Sequence, residues 1–387
     1  MPAEIRRESI LPPVTKTRFA LAVLALTLGL AAIFPALDHD APGVSDESGM
    51  IAALIATQQG RLQDRPHDGR FKFPQDHGNH AEYPGESWRI TGNLRDQTGR
   101  RFGLEFGIMR LAFGGKGTTK RASAWATREV FAGRLALSDP ARARFYSDER
   151  MSRAALGLAG YQASPPSLWL EDWRLSFARS APLAMNLVAA AQELRVRLTL
   201  RSTQDPLAAA VGLVPRDLVS YLARRLEVRG QVTIENKAHT VFGTAMLEHA
   251  WGRLPPLGGQ LRWERLYLNL DDGRDLLLVR LQRRDGSGVP VSRGVIIMPD
   301  GEQRALAREH LEMETLEEWE SPADGRRYPS RWRISLPSEG TVLSVEPTMA
   351  DQEARGLLRR WAGAVRIEGH AHQQPIAGEG YVELMGW

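Results

Sequence analysis

Cysteine is absent from the 387-residue sequence. This absence excludes disulfide bonds, thiolate metal sites, a cysteine nucleophile and the lipidated cysteine of a bacterial lipoprotein. A G-x-S-x-G sequence is also absent, so the serine nucleophile of the α/β-hydrolases has no support. The folded chain must therefore be held by its core, without covalent cross-links.

The sequence has little excess charge and no block of one sign. Its 50 basic and 46 acidic residues give a formal net charge of +4, and the arginines are mixed with acidic residues, as in residues 142–153. This mixture is typical of a solvated surface and predicts no nucleic-acid partner. With 43% hydrophobic and 25% charged residues, the composition fits a folded protein and excludes disorder and a multi-span membrane protein.

The longest apolar run is residues 19–37, which follow a basic stretch at residues 1–18. At the rise of an α-helix the run spans roughly 28 Å, close to the hydrocarbon thickness of a bilayer. The basic flank predicts a cytoplasmic tail before the run and export of the chain after it. Residues 19–37 are thus either a transmembrane anchor on the periplasmic side of the bacterial inner membrane or a signal segment cleaved near residues 29–31. We predict that residues 38–75 form a linker that contains a short helix.

The body of the chain consists of short alternating runs broken by turn residues. Residues 88–96 and 101–110, with Gly99 between them, have the pattern of a β-hairpin. The same pattern recurs at residues 226–235, 267–281, 292–298, 331–336, 341–345, 363–369 and 378–386. It predicts an all-β chain of two antiparallel domains, residues 76–210 and 211–387. The few helical signals lie at residues 47–63, 140–156, 182–193 and 216–225.

Two sequence features that could bind ligands are better explained without one. His77 and His80 lie near Asp76, but they precede a strand and have no third ligand at helical spacing, which favours solvated side chains. Residues 114–118 are glycine-rich like a phosphate-binding loop, but they lack the G-x-x-x-x-G-K spacing and favour a hairpin tip. We therefore predict no metal site and no cofactor.

Residues 86–103 resemble the opening of the family that joins carotenoid 1,2-hydratases to AttH-like proteins. Further segments resemble family signatures in the same order, at residues 135–139, 155–160, 169–173, 268–273, 319–322, 328–332, 351–353 and 378–384. The resemblance implies two lipocalin-like β-barrel domains with an apolar ligand cavity at or between them. Some members of the family hydrate a double bond of a long isoprenoid. Others are similar to accessory proteins of ABC transporters that handle lipid-like cargo.

The resemblance also indicates site positions, and this chain departs from the family at them. The usual Glu-Trp-Trp-Tyr is replaced by residues 86–89, His-Phe by residues 134–135, Trp-Leu-Asp-Arg-Glu-Trp by residues 246–251, and Gly-Trp-Asp-Trp by residues 262–265. The ligand-binding residues implied in this way are Glu86, Trp88, Arg89, Arg134, His249, Trp251, Trp263, Glu264 and Arg265.

Hydration of an alkene requires a carboxylic acid that an apolar pocket keeps protonated. Glu248 stands where the family has an aspartate suited to that role, but Arg89 and Arg265 would favour its ionised form if they point inward. One hypothesis is therefore an exported, membrane-anchored protein that binds an apolar or amphiphilic, lipid-like ligand, with the permease of an ABC transporter as candidate partner. The alternative is a hydratase or hydrolase for an isoprenoid or lipid substrate, with Glu248 as general acid. A third is an interaction protein with filled barrels.

Overall fold

The computed structural model describes residues 71–112, 128–179, 183–208, 218–254, 260–306, 308–356 and 359–387. All of them belong to one compact unit, Asp46–Trp387. The predicted tail, the apolar segment, most of the linker with its helix, and the glycine-rich tip at residues 114–118 lie outside the described residues. Among the helices of the described part, none is both long and apolar enough to cross a membrane.

Twelve strands form the first sheet. They are β1 (Gly85–Asp96), β2 (Arg101–Ala112), β3 (Glu129–Asp139), β4 (Arg144–Arg153), β5 (Ala159–Ala163), β6 (Pro166–Leu170), β7 (Trp173–Phe177), β8 (Ala184–Ala190), β9 (Leu194–Arg201), β10 (Leu207–Ala208), β11 (Leu218–Ile234) and β12 (Lys237–Gly252). Their order is β4-β3-β2-β1-β12-β11-β9-β8-β7-β6-β5, with β10 beside β11 and neighbours antiparallel.

The first sheet curls into a near-closed barrel. Side chains bridge its two ends, since the Ser152 hydroxyl on β4 donates to Glu171 beyond β6 at 2.7 Å. The barrel interior holds the largest apolar core of the described residues, built on Trp88, Phe106 and Trp173. A large enclosed core of this kind supplies the stability that a chain without disulfides requires.

Ten strands form the second sheet, a half-barrel. They are β13 (Leu261–Leu270), β14 (Asp275–Arg283), β15 (Val291–Ile297), β16 (Gln303–Leu306), β17 (Glu312–Glu320), β18 (Arg327–Leu336), β19 (Thr341–Pro347), β20 (Glu353–Ala354), β21 (Arg360–Ala371) and β22 (Gln374–Met385). Their order is β16-β15-β14-β13-β22-β21-β19-β18-β17, with β20 beside β21. A second apolar core, which includes Trp332 and Trp361, covers one face of this sheet.

The first predicted hairpin is β1–β2, and its turn is fixed by local hydrogen bonds. Asp96 Oδ1 accepts from the backbone N–H groups of Thr98, at 2.9 Å, and Arg100, at 3.1 Å. Gly99 adopts φ +85°, a conformation that costs glycine least. The prediction of antiparallel β-structure is confirmed for the described residues, and the second sheet forms a half-barrel where the resemblance implies a barrel.

Three of the predicted helical segments are wrong where they are described. Residues 140–156 contain β4, residues 182–193 contain β8, and residues 218–225, the described part of the third segment, begin β11. The helices that do form within the described ranges are single 3₁₀ turns at Gln75–His77, Pro140–Arg142, Arg308–His310 and Pro337–Glu339. β4 is an end strand of the sheet, and its many charged, mostly half-buried side chains hide the period of two that marks a strand.

The chain passes from the first sheet to the second after Gly252. The predicted domain boundary at residues 210 and 211 falls outside the described residues, and β11 and β12, which follow it, pair with strands of the first sheet. β12 lies between β1 and β11, so both β11 and β12 are part of the barrel.

The two sheets pack against each other through β1, β2 and β12 on one side and β13, β21 and β22 on the other. Asn93 Nδ2 donates to the Gly380 carbonyl at 3.0 Å, and Thr244 Oγ1 donates to Glu379 at 3.1 Å. Gly103 has no room for a side chain, because a Cβ there would lie 2.6 Å from the Ala364 Cβ. This close contact fixes the spacing of the sheets beside the site described next.

Candidate functional site

A cleft of about 230 Å³ lies between the two sheets. Successive side chains of a strand point to opposite faces, so the Trp88–His249 pair of β1 and β12 enters the barrel while the neighbouring Arg89–Glu248 pair faces the second sheet. The outward residues of β1, β2, β3 and β12 meet β13, β21 and β22 there. The cleft is thus a direct product of strand alternation.

The lining of the cleft combines apolar walls with a charged patch. The apolar lining residues are Met109, Ala132, Leu218, Ala250, Leu254, Trp263 and Met385, and the cleft is bordered as well by Trp88 and Ile108, which belong to the barrel core. The charged ones are four arginines and four glutamates, namely Arg89, Arg134, Arg265, Arg360, Glu105, Glu149, Glu248 and Glu383. Apolar surface beside a few convergent polar groups is the usual character of a small-molecule site.

Glu105 is the centre of the charged patch. Its carboxylate contacts Arg360 Nη2 at 2.8 Å, Arg134 Nε at 3.0 Å and Arg89 Nε at 3.3 Å. Glu383 joins the same network, 2.6 Å from Arg89 and 2.9 Å from Arg360. Arg360 and Glu383 belong to the second sheet, so the network also ties the two sheets together.

The network keeps the Glu105 carboxylate ionised. Burial alone would raise its pKa, but the guanidinium groups of Arg360, Arg134 and Arg89 outweigh burial and lower the pKa to about 2. An ionised carboxylate among three guanidinium groups satisfies the rule that a buried charge needs partners.

Glu248 forms an ion pair with Arg265 of β13 across the cleft. Burial would raise the pKa of Glu248, but the charges of Arg265 and Arg89 and the hydrogen bond from Arg265 lower it instead. Both arginines do point into the cleft, the condition under which the sequence argues against an acid at this position.

Two buried guanidinium donors of the patch contact no acceptor among the described residues. They are Arg134 Nη2 and Arg360 Nε, whereas the buried Arg134 Nε forms the ion pair with Glu105. Arg134 is only 5% exposed, and its Nη1 donates to Glu149 at 2.9 Å. An unpaired buried donor costs free energy, and both side chains line the cleft, so these N–H groups suit an acceptor on a bound molecule.

A second polar group of side chains, the His–Glu cluster, lies at one end of the first barrel and consists of His80, Glu86 and His249. Glu86 Oε1 is 2.8 Å from His80 Nδ1 and 2.9 Å from His249 Nε2. Its Oε2 contacts Arg110 Nε at 3.3 Å, and the His80 backbone N–H donates to both oxygens. Burial would raise the pKa of Glu86, but the hydrogen bonds from both histidines and the charges of His249 and Arg110 lower it to about 2.

Aromatic rings fill the space around the cluster. Trp251 stacks on His80 with ring centroids 3.7 Å apart, and Trp88 stacks on His249 at 4.7 Å. His77 is buried as well, and burial with the charge of His249 lowers its pKa to about 4. The prediction that His77 and His80 are solvated is therefore wrong, because the segment before β1 folds into the barrel end.

The structure distributes the predicted site residues over three places. Arg89, Arg134, Glu248, Trp263 and Arg265 line the cleft, and Trp88 borders it from the barrel core. Glu86, His249 and Trp251 lie inside the first barrel.

Glu264 lies inside the second sheet. It accepts from Arg280 Nε at 2.7 Å and from Trp332 Nε1 at 2.9 Å, and burial raises its pKa. Residues that are adjacent in the sequence thus belong to different sites, because successive side chains of a strand point to opposite faces.

Several residues of these sites are not predicted from the sequence. In the cleft they are Glu105, Glu149, Arg360 and Glu383, and at the barrel end they are Arg110 and Tyr221. The signal that marks them is a charge inside an apolar strand, as for Glu105 and Arg110 in β2 and Glu383 in β22. Such residues are rarely buried without a partner.

Comparison with known proteins gives the family and supports the fold. Residues 64–387 match the model of the AttH-like family. A crystal structure of a candidate AttH protein from Nitrosomonas europaea is 25% identical, covers 83% of this chain and 99% of its own, and superposes with a TM-score of 0.69. No curated protein matches the sequence.

Two further structures share the fold. Kievitone hydratase from Nectria haematococca is 12% identical with a TM-score of 0.60, covering 78% of this chain and 89% of its own. CghA is 12% identical with a TM-score of 0.50, covering 84% and 95%. The match to the family model spans most of the sequence, and the chain therefore belongs to the AttH-like family.

Proposed function

We propose that this protein binds a single-chain, lipid-like amphiphile in the cleft between its sheets, as a binding protein and not as an acid catalyst. The observation that carries the proposal is the pair of unpartnered guanidinium donors, Arg134 Nη2 and Arg360 Nε, beside apolar walls. A ligand with an apolar body and an acceptor-bearing head would satisfy both features at once.

The size of the cleft restricts the ligand class. Sites for drug-sized molecules have volumes of about 300–1,000 Å³, and this cleft encloses about 230 Å³. One acyl or prenyl chain fits that volume better than a lipid with two chains. We therefore favour a fatty acid or a similar single-chain molecule.

The charge balance of the patch favours a head with one or two acceptor oxygens. The four arginines are matched by four glutamates, so the cleft has no large positive excess that would attract a phosphate cluster. The free donors belong to Arg134 and Arg360, which flank Glu105. A carboxylate could accept both N–H groups, and such charge-assisted hydrogen bonds are among the stronger ones.

The alternative, a hydratase or hydrolase with Glu248 as general acid, fits the geometry less well. General acid catalysis requires a protonated group near neutral pH, and the ion pair with Arg265 lowers the pKa of Glu248. The hydratase among the structural relatives shares the fold at 12% identity, and a fold does not by itself carry an activity.

We also propose that the chain is exported, because basic residues precede the apolar run at residues 19–37. A periplasmic protein anchored in the inner membrane, or released after cleavage, would meet lipid-like molecules in transit. An ABC transporter permease in the same membrane is the partner we propose. Alkaline phosphatase fused to the C terminus should be active if this topology is correct, and an inactive fusion would contradict it.

The experiment that tests binding is competition against a dansyl-labelled undecanoic acid on the purified full chain. Saturable binding should be displaced by palmitic acid more effectively than by its methyl ester, because the ester removes the charged head. Arg134→Gln should weaken binding by roughly 10- to 100-fold, the equivalent of a lost hydrogen bond to a charged group. Ala250→Phe should abolish binding by filling the cleft.

The matched control is Arg366→Gln, which changes an exposed arginine of β21 that pairs with Glu346 outside the cleft. It should leave the affinity for the probe unchanged. Equal affinity in the wild type, Arg134→Gln and Ala250→Phe would show that the probe binds elsewhere and would refute the cleft as the site.

A further inference from the structure

The His–Glu cluster contains more acceptors than its imidazoles can serve. His80 faces Glu86 Oε1 with Nδ1, at 2.8 Å, and Asp76 Oδ1 with Nε2, at 3.4 Å. His249 faces Glu86 Oε1 with Nε2, at 2.9 Å, and the Asp76 carbonyl oxygen with Nδ1, at 3.1 Å. A neutral imidazole has one N–H, so two neutral rings supply two hydrogens for four contacts.

The hydroxyl of Tyr221 does not remove this deficit. It lies 2.7 Å from His77 Nδ1 and 3.3 Å from His249 Nδ1. Its single hydrogen can serve only one of the two nitrogens and reaches none of the four oxygen contacts, which still share two ring hydrogens. If both rings donate their outer N–H to Asp76, two imidazole lone pairs face the Glu86 carboxylate, and a proton on a ring or a metal ion between the three side chains would supply the missing positive charge.

The separation of these atoms is close to that of ligands around one transition-metal ion. With metal–ligand bonds of about 2.0–2.1 Å, two ligand atoms of a tetrahedral ion lie about 3.3 Å apart. Glu86 Oε1 lies 2.8 and 2.9 Å from the two histidine nitrogens, so an ion would move the three side chains apart by about half an ångström. All three ligand atoms lie within 4.8 Å of one another.

The surroundings resemble the outer shell of a metal site. Histidine ligands usually donate their second N–H to a carboxylate or a backbone carbonyl, and Asp76 offers its carboxylate to His80 and its carbonyl to His249. Arg110 contacts Oε2 of Glu86, whereas Oε1 faces both histidine rings and also accepts from the His80 backbone N–H at 3.0 Å. The charge of Arg110 is balanced by Glu129 at 2.9 Å.

We propose that His80 Nδ1, His249 Nε2 and Glu86 Oε1 bind a divalent transition-metal ion, with Zn²⁺ the best match to two imidazoles and one carboxylate. The site is separate from the cleft, since these side chains enter the barrel. His80 precedes β1, Glu86 lies in β1 and His249 lies in β12. The ion would therefore fasten the segment before β1 to the end of the barrel.

The test is titration of the purified full chain with Co²⁺ after dialysis against EDTA. One equivalent should give ligand-field absorption bands in the visible region, and Zn²⁺ should abolish them by displacement. The same stoichiometry should appear for Zn²⁺ in calorimetry, and the ion should raise Tm. Wild-type protein that binds neither ion would overturn the proposal without recourse to any variant.

Two variants assign the ligands. His80→Gln and His249→Gln keep a hydrogen-bond donor toward Glu86 and remove a metal ligand, so each should weaken Co²⁺ binding at least 100-fold. His239→Gln is the matched control, because His239 is a buried histidine of β12 that pairs with Asp96 at the opposite end of the strand. It should bind Co²⁺ like the wild type, whereas equal losses in all three variants, or in none, would refute the assignment.

Discussion

The inter-sheet cleft and the His–Glu cluster both contain residues of β1 and β12, but their charged groups have different surroundings. In the cleft, arginines and glutamates surround open space, and Arg134 and Arg360 keep free donors. In the cluster, each oxygen of Glu86 has more than one donor, and aromatic rings pack around it. The first arrangement can receive a molecule, and the second holds the chain together.

The difference arises from a displacement of one residue along a strand. Glu248 and His249 are adjacent in β12, yet one faces Arg265 of the second sheet and the other faces Glu86 inside the barrel. Alternation therefore allows one strand to serve two sites with independent chemistry. Variants on the two faces of β1 and β12 should consequently have separable effects.

The largest effect on stability should come from Glu86→Ala. The change leaves Arg110 and the two histidines of the cluster without their buried acceptor, and breaking a buried ion pair in this way costs about 3–5 kcal/mol. Urea denaturation should show a lower midpoint with an unchanged slope. Glu314→Ala is the control, since Glu314 pairs with Arg333 at 3.4 Å on the surface, where both side chains are exposed, and such pairs contribute about 0–1 kcal/mol. Equal losses in both variants would contradict the view of the cluster as a structural element.

A smaller, pH-dependent effect is expected from Glu105 in the cleft. Its folded-state pKa of about 2 lies below the ordinary value of 4.5, so the unfolded chain binds more protons between these limits. The stabilisation from the ionised carboxylate is therefore complete above pH 4.5 and is lost as the pH falls toward 2. Wild type should be more stable than Glu105→Gln at neutral pH, and the gap should narrow in acid. A gap that stays constant down to pH 2 would show that Glu105 does not titrate in this way.

Much of the fold is predictable from the sequence because hairpins are local. The β1–β2 hairpin follows from alternation around Gly99, and runs such as residues 331–336 and 341–345 fall within β18 and β19. The errors occur where tertiary contacts outweigh local signals. The charged residues of β4 favour a helix when the sequence alone is considered, but β4 is the end strand of the sheet. The start of β11 also has a helical pattern, but the strand is needed to complete the barrel.

The sites are less predictable, because a sequence shows which residues are present but not which face they occupy. Glu264 and Arg265 are both site candidates by position, yet Glu264 turns toward Arg280 and Arg265 toward the cleft. His80 finds its partners only when β12, far along the chain, lies beside β1. Such long-range pairing cannot be read from spacing.

The smallest effect should follow from Glu248→Gln. The glutamine keeps the shape and the acceptor toward Arg265, and the free donors that we assign to the ligand belong to Arg134 and Arg360, so affinity for the dansyl fatty acid should stay close to that of the wild type. An acid catalyst would behave differently, because the variant loses the proton donor and turnover should fall by roughly 100- to 10,000-fold. Hydration of an isoprenoid alkene, followed through oxygen from isotopically labelled water, is the measurement that separates the two roles. Wild-type hydration that disappears in Glu248→Gln, with probe binding intact, would reverse the preference for a binding protein. In that case the ion pair with Arg265 would have to open before each turnover, since only a protonated Glu248 can donate to carbon.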